Sequence, residues 1–402
     1  MSEKLLSEKN FDVAIVGGGA AGCTCAIMLS RRGKRVVVFE GGARVLTKLA
    51  ATGNGRCNAS NADISPAHYN APEFVAPALG AFGAEQTRAF FASLGVALRE
   101  TDGRIYPYGN NSGCVVNAFV AALGECEVRV SARVTALERR EGGWSISASQ
   151  DGKTRVYGAA DVVFACGSNA TSGLDSLSLM TALGIARTDC VPAIAPLPCA
   201  AFKGASGVRA YAEGTLLADG KPVAKRRGEV LMRDDAVSGM LAMELSSAYA
   251  RLMRRGARSF ELKLDFAPDF GDDEVKAYLA ASPVRDARGA LIAFVPRALG
   301  EKLAALAGIR ADASKDDCLA ALCAALRPTV KPSGMPRLKQ AQVVCGGLDL
   351  DGFDPETMMS KKNRGLYAIG EALDVDGDCG GYNLQWAWAS AAACARSIGG
   401  EG

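Results

Sequence analysis

The sequence predicts an α/β fold in which one domain is assembled from both ends of the chain and a second is inserted between them. Three observations carry this. An apolar run from Phe11 to Val16 stops at three glycines, and a helix-like stretch and a second apolar run follow within about 30 residues, the length of a βαβ unit. Strand-like runs ending in glycine recur at Val162 to Gly167 and at Leu366 to Gly370. Between these two, from about Pro192 onward, the character changes to short strands followed by alanine- and leucine-rich helical segments, closed by a cluster of prolines. The domain limits that follow are 1–190 and 336–402 for the discontinuous domain and 191–335 for the insert.

The elements follow in order. Phe11 to Val16 (FDVAIV) is apolar and β-branched, the pattern of a buried strand. Ala20 to Arg32 is rich in small residues and ends at Gly33, a helix stop signal. Arg35 to Glu40 (RVVVFE) is the second strand, parallel to the first through a right-handed crossover. Thr52 to Asn61 reads as a Gly/Asn-rich loop, and Glu85 to Leu94 as a helix within a mixed stretch. Val128 to Leu137 and Trp144 to Ser149 alternate as two strands of a hairpin around Glu141-Gly142-Gly143. Asp161 to Ala165 is another buried strand. In the insert, prolines at 192, 196 and 198 precede strand-like pieces at Val208 to Leu217, Gly228 to Met232 and Ser259 to Phe266. Helical segments then run from Asp272 to Leu326, ended by the breaker-rich Arg327 to Pro336. Strand-like pieces return at Gln342 to Val344 and Gly365 to Ile369, and a last helix runs from Asn383 to Ile398.

Composition narrows the function class. A net charge of +3 over 402 residues offers no electrostatic reason for nucleic acid or an anionic membrane. The basic clusters Lys225-Arg226-Arg227 and Arg251 to Arg258 are short and read as solvated surface. Thirteen scattered cysteines, with no Cys-x-x-Cys and one histidine, His68, fit free thiols in a reducing cytosol and neither a disulfide framework nor a metal site. The polar start and the lack of a long apolar span give the expectation of a cytoplasmic, unprocessed protein.

The strongest motif is Gly17-Gly18-Gly19-Ala20-Ala21-Gly22, a G-x-G-x-x-G placed between a strand and a helix. Gly17 permits the tight turn, Gly19 lets a pyrophosphate approach the backbone, and Gly22 lets helix and strand come close. The helix N-terminus then offers free N–H groups and its positive dipole end to phosphates. Glu40, 23 residues after Gly17 and ending the next strand, can accept hydrogen bonds from ribose hydroxyls and would repel a 2′-phosphate. These features specify a dinucleotide, either FAD or NAD. Val162-Val163-Phe164-Ala165-Cys166-Gly167 and Leu366-Tyr367-Ala368-Ile369-Gly370-Glu371 favour FAD, because strands running into Ala-x-Gly and Gly-acid have this form in flavoproteins with a Rossmann-like domain. Gly380-Gly381-Tyr382-Asn383-Leu384 then opens the last helix, whose N-terminus could stabilise negative charge on the pyrimidine edge of a flavin. No second G-x-G-x-x-G follows a strand, so a dedicated nicotinamide domain is unsupported, and NAD(P)H as donor would have to bind transiently.

The run Lys48 to Asn61 (KLAATGNGRCNASN), with Gly370-Glu371-Ala372-Leu373-Asp374 and GGYNLQWAWASA from Gly380 to Ala391, closely resembles the bacterial BaiN/YhiN-type flavoproteins over essentially the whole chain. The resemblance implies a discontinuous Rossmann-like FAD-binding domain with an inserted β-barrel-like plus helical domain. It implies noncovalent FAD contacts at Gly17, Gly19, Ala20, Ala21, Gly22, Glu40, Gly41 and Lys48. Further contacts are implied at Asn54, Gly55, Arg56, Cys57 and Asn58, at the backbone of Val134, at Ala165 and Gly167, and at Gly370, Glu371, Gly381, Tyr382, Asn383 and Leu384. The chain departs from the family pattern at Met232 to Met240, at Thr171 to Ser176 and at Val344 to Leu348. The first departure falls in the insert, which the resemblance places over the substrate side, so substrate identity does not carry over.

A flavin brings the redox chemistry, and the protein has to position a small-molecule substrate, keep water out and supply a proton donor. Tyr382 is a candidate donor, and Arg56 a candidate for orienting a carbonyl or stabilising enolate charge; both could equally only hold loops or FAD. His68, in a polar loop, reads as a surface residue; Cys57 and Cys345 could be reactive thiols, but no Cys-x-x-Cys supports a disulfide reductase. The leading expectation is an FAD-dependent oxidoreductase reducing an activated C=C bond, in a steroid-like or other enone. A flavin oxidase of small amines or amino ketones is one alternative, and a nucleic-acid-associated or redox-sensing flavoprotein another.

Overall fold

The computed structural model describes residues 10–168 and 175–400, and the chain divides into two compact units, Met1–Cys190 with Gly346–Gly402, and Val191–Cys345. The second crossing thus falls at Cys345, after the proline-rich segment rather than at its end. Thr171 to Leu174, most of one family departure, lie outside the described residues.

In the first unit the opening strand Asn10–Val16 pairs in parallel with Val36–Phe39 on one side and Lys153–Phe164 on the other. Every residue of Val36–Phe39 is buried, as a strand covered on both faces requires. The sheet has seven strands; Glu127–Arg129 and Leu366–Ala368 also join it in parallel, and the hairpin Arg133–Arg140/Gly143–Gln150 joins it antiparallel. The helix Ala20–Ser30 closes at Gly33, whose φ of +75° suits a residue without Cβ. It runs against the last helix, Tyr382–Gly399, which is buried along most of its length. Both helices are rich in small residues, which permits two helices to approach closely.

Two expectations in this unit change. The run Val128 to Leu137 is two strands, because Ser131 turns to φ +52° while Ser131 N and Ala132 N donate to the carbonyls of Gly42 and Glu40 at 2.8 and 2.9 Å. Those bonds carry the chain across the end of the neighbouring strand. Thr52 to Asn61 is not all loop: a helix, Thr47–Gly55, breaks at Thr52, Gly53 and Asn54, and Ser60–Asn61 pairs with Arg104–Pro107.

The second unit is a curled six-stranded sheet, antiparallel throughout. Its order is Leu197–Pro198, Ala236–Ser238, Lys221–Met232, Arg209–Ala218, Phe260–Asp265 and Thr329–Val330. Lys221–Met232 extends well before the expected Gly228. Its charged residues are tolerated because Lys225 and Arg227 both pair with Glu213 on the neighbouring strand, at 2.6 and 2.7 Å. The amphipathic helix Met240–Arg254, not anticipated, lies against the sheet, where a Cβ on Gly214 would come within 2.7 Å of Leu241. It follows the departure at Met232 to Met240, whose Gly239 has φ +87° and no room for a Cβ beside Glu229 O. Helices Asp272–Ala281, Arg297–Leu306 and Leu319–Ala325 fill the region expected to be helical. Val191–Ala193 and Val343–Cys345 pair antiparallel, so the chain enters and leaves this unit through one short ladder.

Candidate functional site

The glycine turn is built around Ala165. Gly17 has φ +112°, and a Cβ on it would lie 2.4 Å from Ala165 O; a Cβ on Gly22 would lie 2.0 Å from Gly17 O. Both positions admit glycine alone. At Gly19, by contrast, a Cβ would meet nothing within 4 Å, so the backbone faces open space where the helix begins. That helix has no side-chain cap and no acid in its first turn. Its leading N–H groups and dipole are therefore available to an anion.

Glu40 sits at the same end of the sheet. Its carboxylate accepts from Gly18 N at 2.9 Å and from Gly42 N at 2.6 Å. Each oxygen keeps lone-pair capacity for a further donor such as a ribose hydroxyl. Gly41 and Gly42 are exposed, and Arg133, next to Val134, approaches the Gly41 position. Val134 is buried in the hairpin ladder opposite Ala148.

A second cluster joins segments far apart in sequence. Lys48 and Glu371 form an ion pair, and a Cβ on Gly167, at φ +65°, would stand 3.7 Å from the same Glu371 oxygen. Gly370, at φ +64°, has Ala21 so close that a Cβ would meet its methyl at 2.9 Å. Four expected segments thus converge on one place: the first helix, Lys48, the Ala165–Gly167 strand end and Gly370–Glu371.

The Asn54–Asn58 loop leads into the third part. Gly53, Asn54, Gly55 and Cys57 all have positive φ, a tight coil that buries Cys57. Burial pushes the Cys57 thiol up to about 12, which makes it an inert packing group. Cys345 is buried too. Beyond the loop, Trp388 Nε1 donates to Ala59 O at 2.8 Å, Ser60 Oγ donates to Gln385 Oε1 at 2.6 Å, and Asn61 Nδ2 donates to Gly380 O at 3.0 Å. A Cβ on Gly381 would lie 2.3 Å from Ser60 O. The loop and the start of the last helix are therefore fixed to each other. Asn383 uses its side chain locally, exchanging 2.9 Å hydrogen bonds with Gly377, which leaves a backbone N–H as its means of meeting a ligand. Arg56 is exposed and lies over the Tyr106 ring at 5.0 Å, while Tyr382 is buried.

His68 is not the lone surface residue expected. Its ring stacks on Tyr382 at 4.3 Å and 24°, with Nδ1 3.2 Å from Asp378 and Nε2 3.4 Å from Asp63. His68 lies more than 300 positions from Asp378 and Tyr382, and no local pattern announces that they meet.

The residues fit an extended dinucleotide. Asn58 Oδ1 and Ser168 Oγ are buried with no hydrogen-bond partner, one in the expected flavin loop and the other directly after Gly167. Leaving such groups unmet costs about 1–3 kcal/mol each, so a polar ligand is their natural complement. Ser168 was not anticipated, since a serine following a glycine turn carries no signal of its own.

Comparison with known proteins agrees with the fold. The HI0933-like protein Rossmann domain family matches residues 11–397. The chain is 32% identical to a 3-dehydro-bile acid delta(4,6)-reductase of Clostridium scindens, over 94% of this chain and 96% of that protein. It is 27% identical to a ribosomal RNA dihydrouridine synthase of Escherichia coli, over 97% and 98%. Among solved structures, a 3-ketosteroid-delta4-(5alpha)-dehydrogenase from Rhodococcus jostii RHA1 shares the fold at a TM-score of 0.50 and 15% identity, over 99% of both chains.

Proposed function

Because this chain belongs to the HI0933-like Rossmann-domain family and is an FAD-dependent oxidoreductase, we propose that it reduces a C=C bond conjugated to a carbonyl in a steroid-like enone. The observation that carries this is the full-length similarity to the bile-acid reductase. The dihydrouridine relative adds weight at the level of chemistry, since dihydrouridine is uridine with its carbonyl-conjugated C5=C6 bond saturated. The small-molecule reading is preferred because Lys225, Arg226 and Arg227, the densest basic run, are each paired with an acid and form no open phosphate-binding stripe.

When bound, FAD supplies the two-electron chemistry. Gly17, Gly19 and the first turn of Ala20–Ser30 would hold its pyrophosphate, with Glu40 on the adenosine ribose. Lys48, Asn58, Ser168, Gly370 and Glu371 would hold the middle of the cofactor. The N-terminus of Tyr382–Gly399 would face the pyrimidine edge with its free N–H groups. Tyr382 is the proton donor to the substrate. Overall, two electrons and two protons are added across the double bond; a reduced nicotinamide supplies both electrons and one proton, and solvent the other.

The test is anaerobic. Holoprotein is reduced with NADH or NADPH and mixed with steroidal and simple enones, and the expected outcome is flavin reoxidation with formation of the saturated ketone. Failure of every enone to reoxidise the flavin overturns the proposal, and reoxidation by a uridine-containing ribosomal RNA fragment alone would move the substrate to RNA.

A further inference from the structure

We propose that His68, the only histidine in the chain, is a positioning residue that clamps the Tyr382 ring for the reductive reaction through its stack on that ring and its bonds to Asp378 and Asp63. This rests on the flavin-dependent reading of the site given above.

Tyr382 is closely surrounded. It is the first residue of an 18-residue helix and follows two glycines at positive φ, so its backbone is set by the helix start. A tyrosine hydroxyl nevertheless moves several ångströms with rotation about its side-chain torsions, and a proton donor has to be held in place. Four features hold this ring. His68 covers one face. Tyr69 meets it edge-on at 6.1 Å and 90°, and Tyr69 Oη donates to Tyr382 O at 2.9 Å. At Gly377 a Cβ would come within 2.8 Å of Tyr382 Cβ and 3.0 Å of the Tyr69 ring, so only glycine leaves room for both side chains where they stand. Gly380 lies against the ring edge, where a Cβ would be 3.5 Å from Tyr382 Cε2.

His68 is itself held from two directions. Its carbonyl accepts from Asp378 N at 2.9 Å, Asn70 N donates to Asp376 O at 3.0 Å, and Tyr69 bridges Gly377, so the two loops run antiparallel side by side. Its ring nitrogens face Asp378 on the opposite loop and Asp63 on its own. The imidazole thus meets two carboxylates and the Tyr382 ring, while burial, with Tyr382 and Asp378 nearby, pushes the Tyr69 phenol up and keeps it neutral. Asp63 is largely exposed, while Asp378 is two-thirds shielded, which makes Asp378 the firmer partner. With Asp378 3.2 Å from one ring nitrogen and Asp63 3.4 Å from the other, carboxylates flank the ring on both sides and hold it beside the tyrosine. A surface histidine would have no such fixing.

The experiment uses FAD-loaded protein carrying His68→Ala, His68→Phe, Tyr382→Phe and the His68→Ala/Tyr382→Phe pair. Steady-state reduction of an accepted enone, visible circular dichroism of the bound flavin and melting temperature are measured for each. His68→Ala is expected to lower kcat about tenfold with KM changed less than about twofold, and to alter the visible dichroism; His68→Phe, which keeps the stack, restores most of both. In the Tyr382→Phe background His68→Ala adds no further loss. An equal loss in both backgrounds, or a phenylalanine variant no better than alanine while both melt like wild type, overturns the clamp. Failure of the reaction reading is separable: if no enone is turned over, the dichroism alone decides, a change with His68→Ala that His68→Phe reverses supporting the clamp and unchanged spectra overturning it.

Discussion

The spacing of Glu40 pointed to a ribose, and the structure shows its carboxylate holding backbone amides. Its two oxygens tie Gly18 N and Gly42 N, so it holds both the glycine turn and the loop after the second strand in the form a dinucleotide needs. Removing it would take away the proposed ribose acceptor and leave two amides to water. Glu40→Ala is expected to weaken FAD binding about 10- to 100-fold, or about 1.4–2.8 kcal/mol, measured by quenching of flavin fluorescence on titration. Glu40→Gln, which keeps one carbonyl acceptor, should fall between; an alanine variant binding FAD like wild type would show that Glu40 only shapes the turn. At the same scale the sequence misled on His68, whose partners Asp378 and Tyr382 lie on the far side of the chain.

Elements were legible where a local signal and burial agreed. The first strand, its helix and the second strand are set by an apolar run, three glycines and Gly33, and the structure places them within a few residues of the expected ends. The helix Ser112–Ala122 was missed although its signal was present: Asn111 caps it by accepting from Gly113 N at 2.7 Å. The break at Ser131 was not legible, because the carbonyls that hold it belong to Glu40 and Gly42, nearly ninety positions away. The glycine and Asn-loop segments could be named one by one, but their convergence on Glu371 and Gly381 is a property of the fold. One inter-element link can be tested by pH. Asp12 on the first strand accepts from the Arg35 guanidinium at 2.9 Å and from Arg35 N at 2.8 Å. The guanidinium bond and then the backbone bond hold its carboxyl below the ordinary carboxylate range. A depressed folded-state value contributes stability above the unfolded value of roughly 3.9 and loses it as pH falls through the folded one. Asp12→Asn should therefore lower the urea midpoint at pH 7, on the order of tenths of a molar, with the gap to wild type closing as the pH is taken below 3.9. A gap that persists at low pH would assign the effect to shape and not to charge.

For the molecule as a whole, the consequence of a domain made from two chain segments is that ligand binding and folding are coupled. Lys48 and Glu371 are 323 positions apart, and the hydrogen bonds from Trp388 to Ala59 and from Ser60 to Gln385 span comparable distances in sequence. Closing such contacts costs chain entropy that local elements do not face, and the unfolded chain has no site for the cofactor. FAD therefore binds the folded form alone. At a free concentration about 100 times Kd, such a ligand adds about 2.7 kcal/mol. For a unit of this size each kcal/mol moves the melting temperature by about 2–4 °C, so stripping the flavin should lower it by about 5–10 °C, and adding FAD back should restore it. ADP, which could engage only the glycine-turn end, should restore less than FAD at equal free concentration, because it forgoes the contacts at the Glu371–Tyr382 end and binds more weakly. Equal recovery at equal free concentration would mean that the Glu371–Tyr382 end adds nothing to cofactor affinity. A melting temperature indifferent to saturating FAD would mean that the convergence on Glu371 does not form a cofactor site at all.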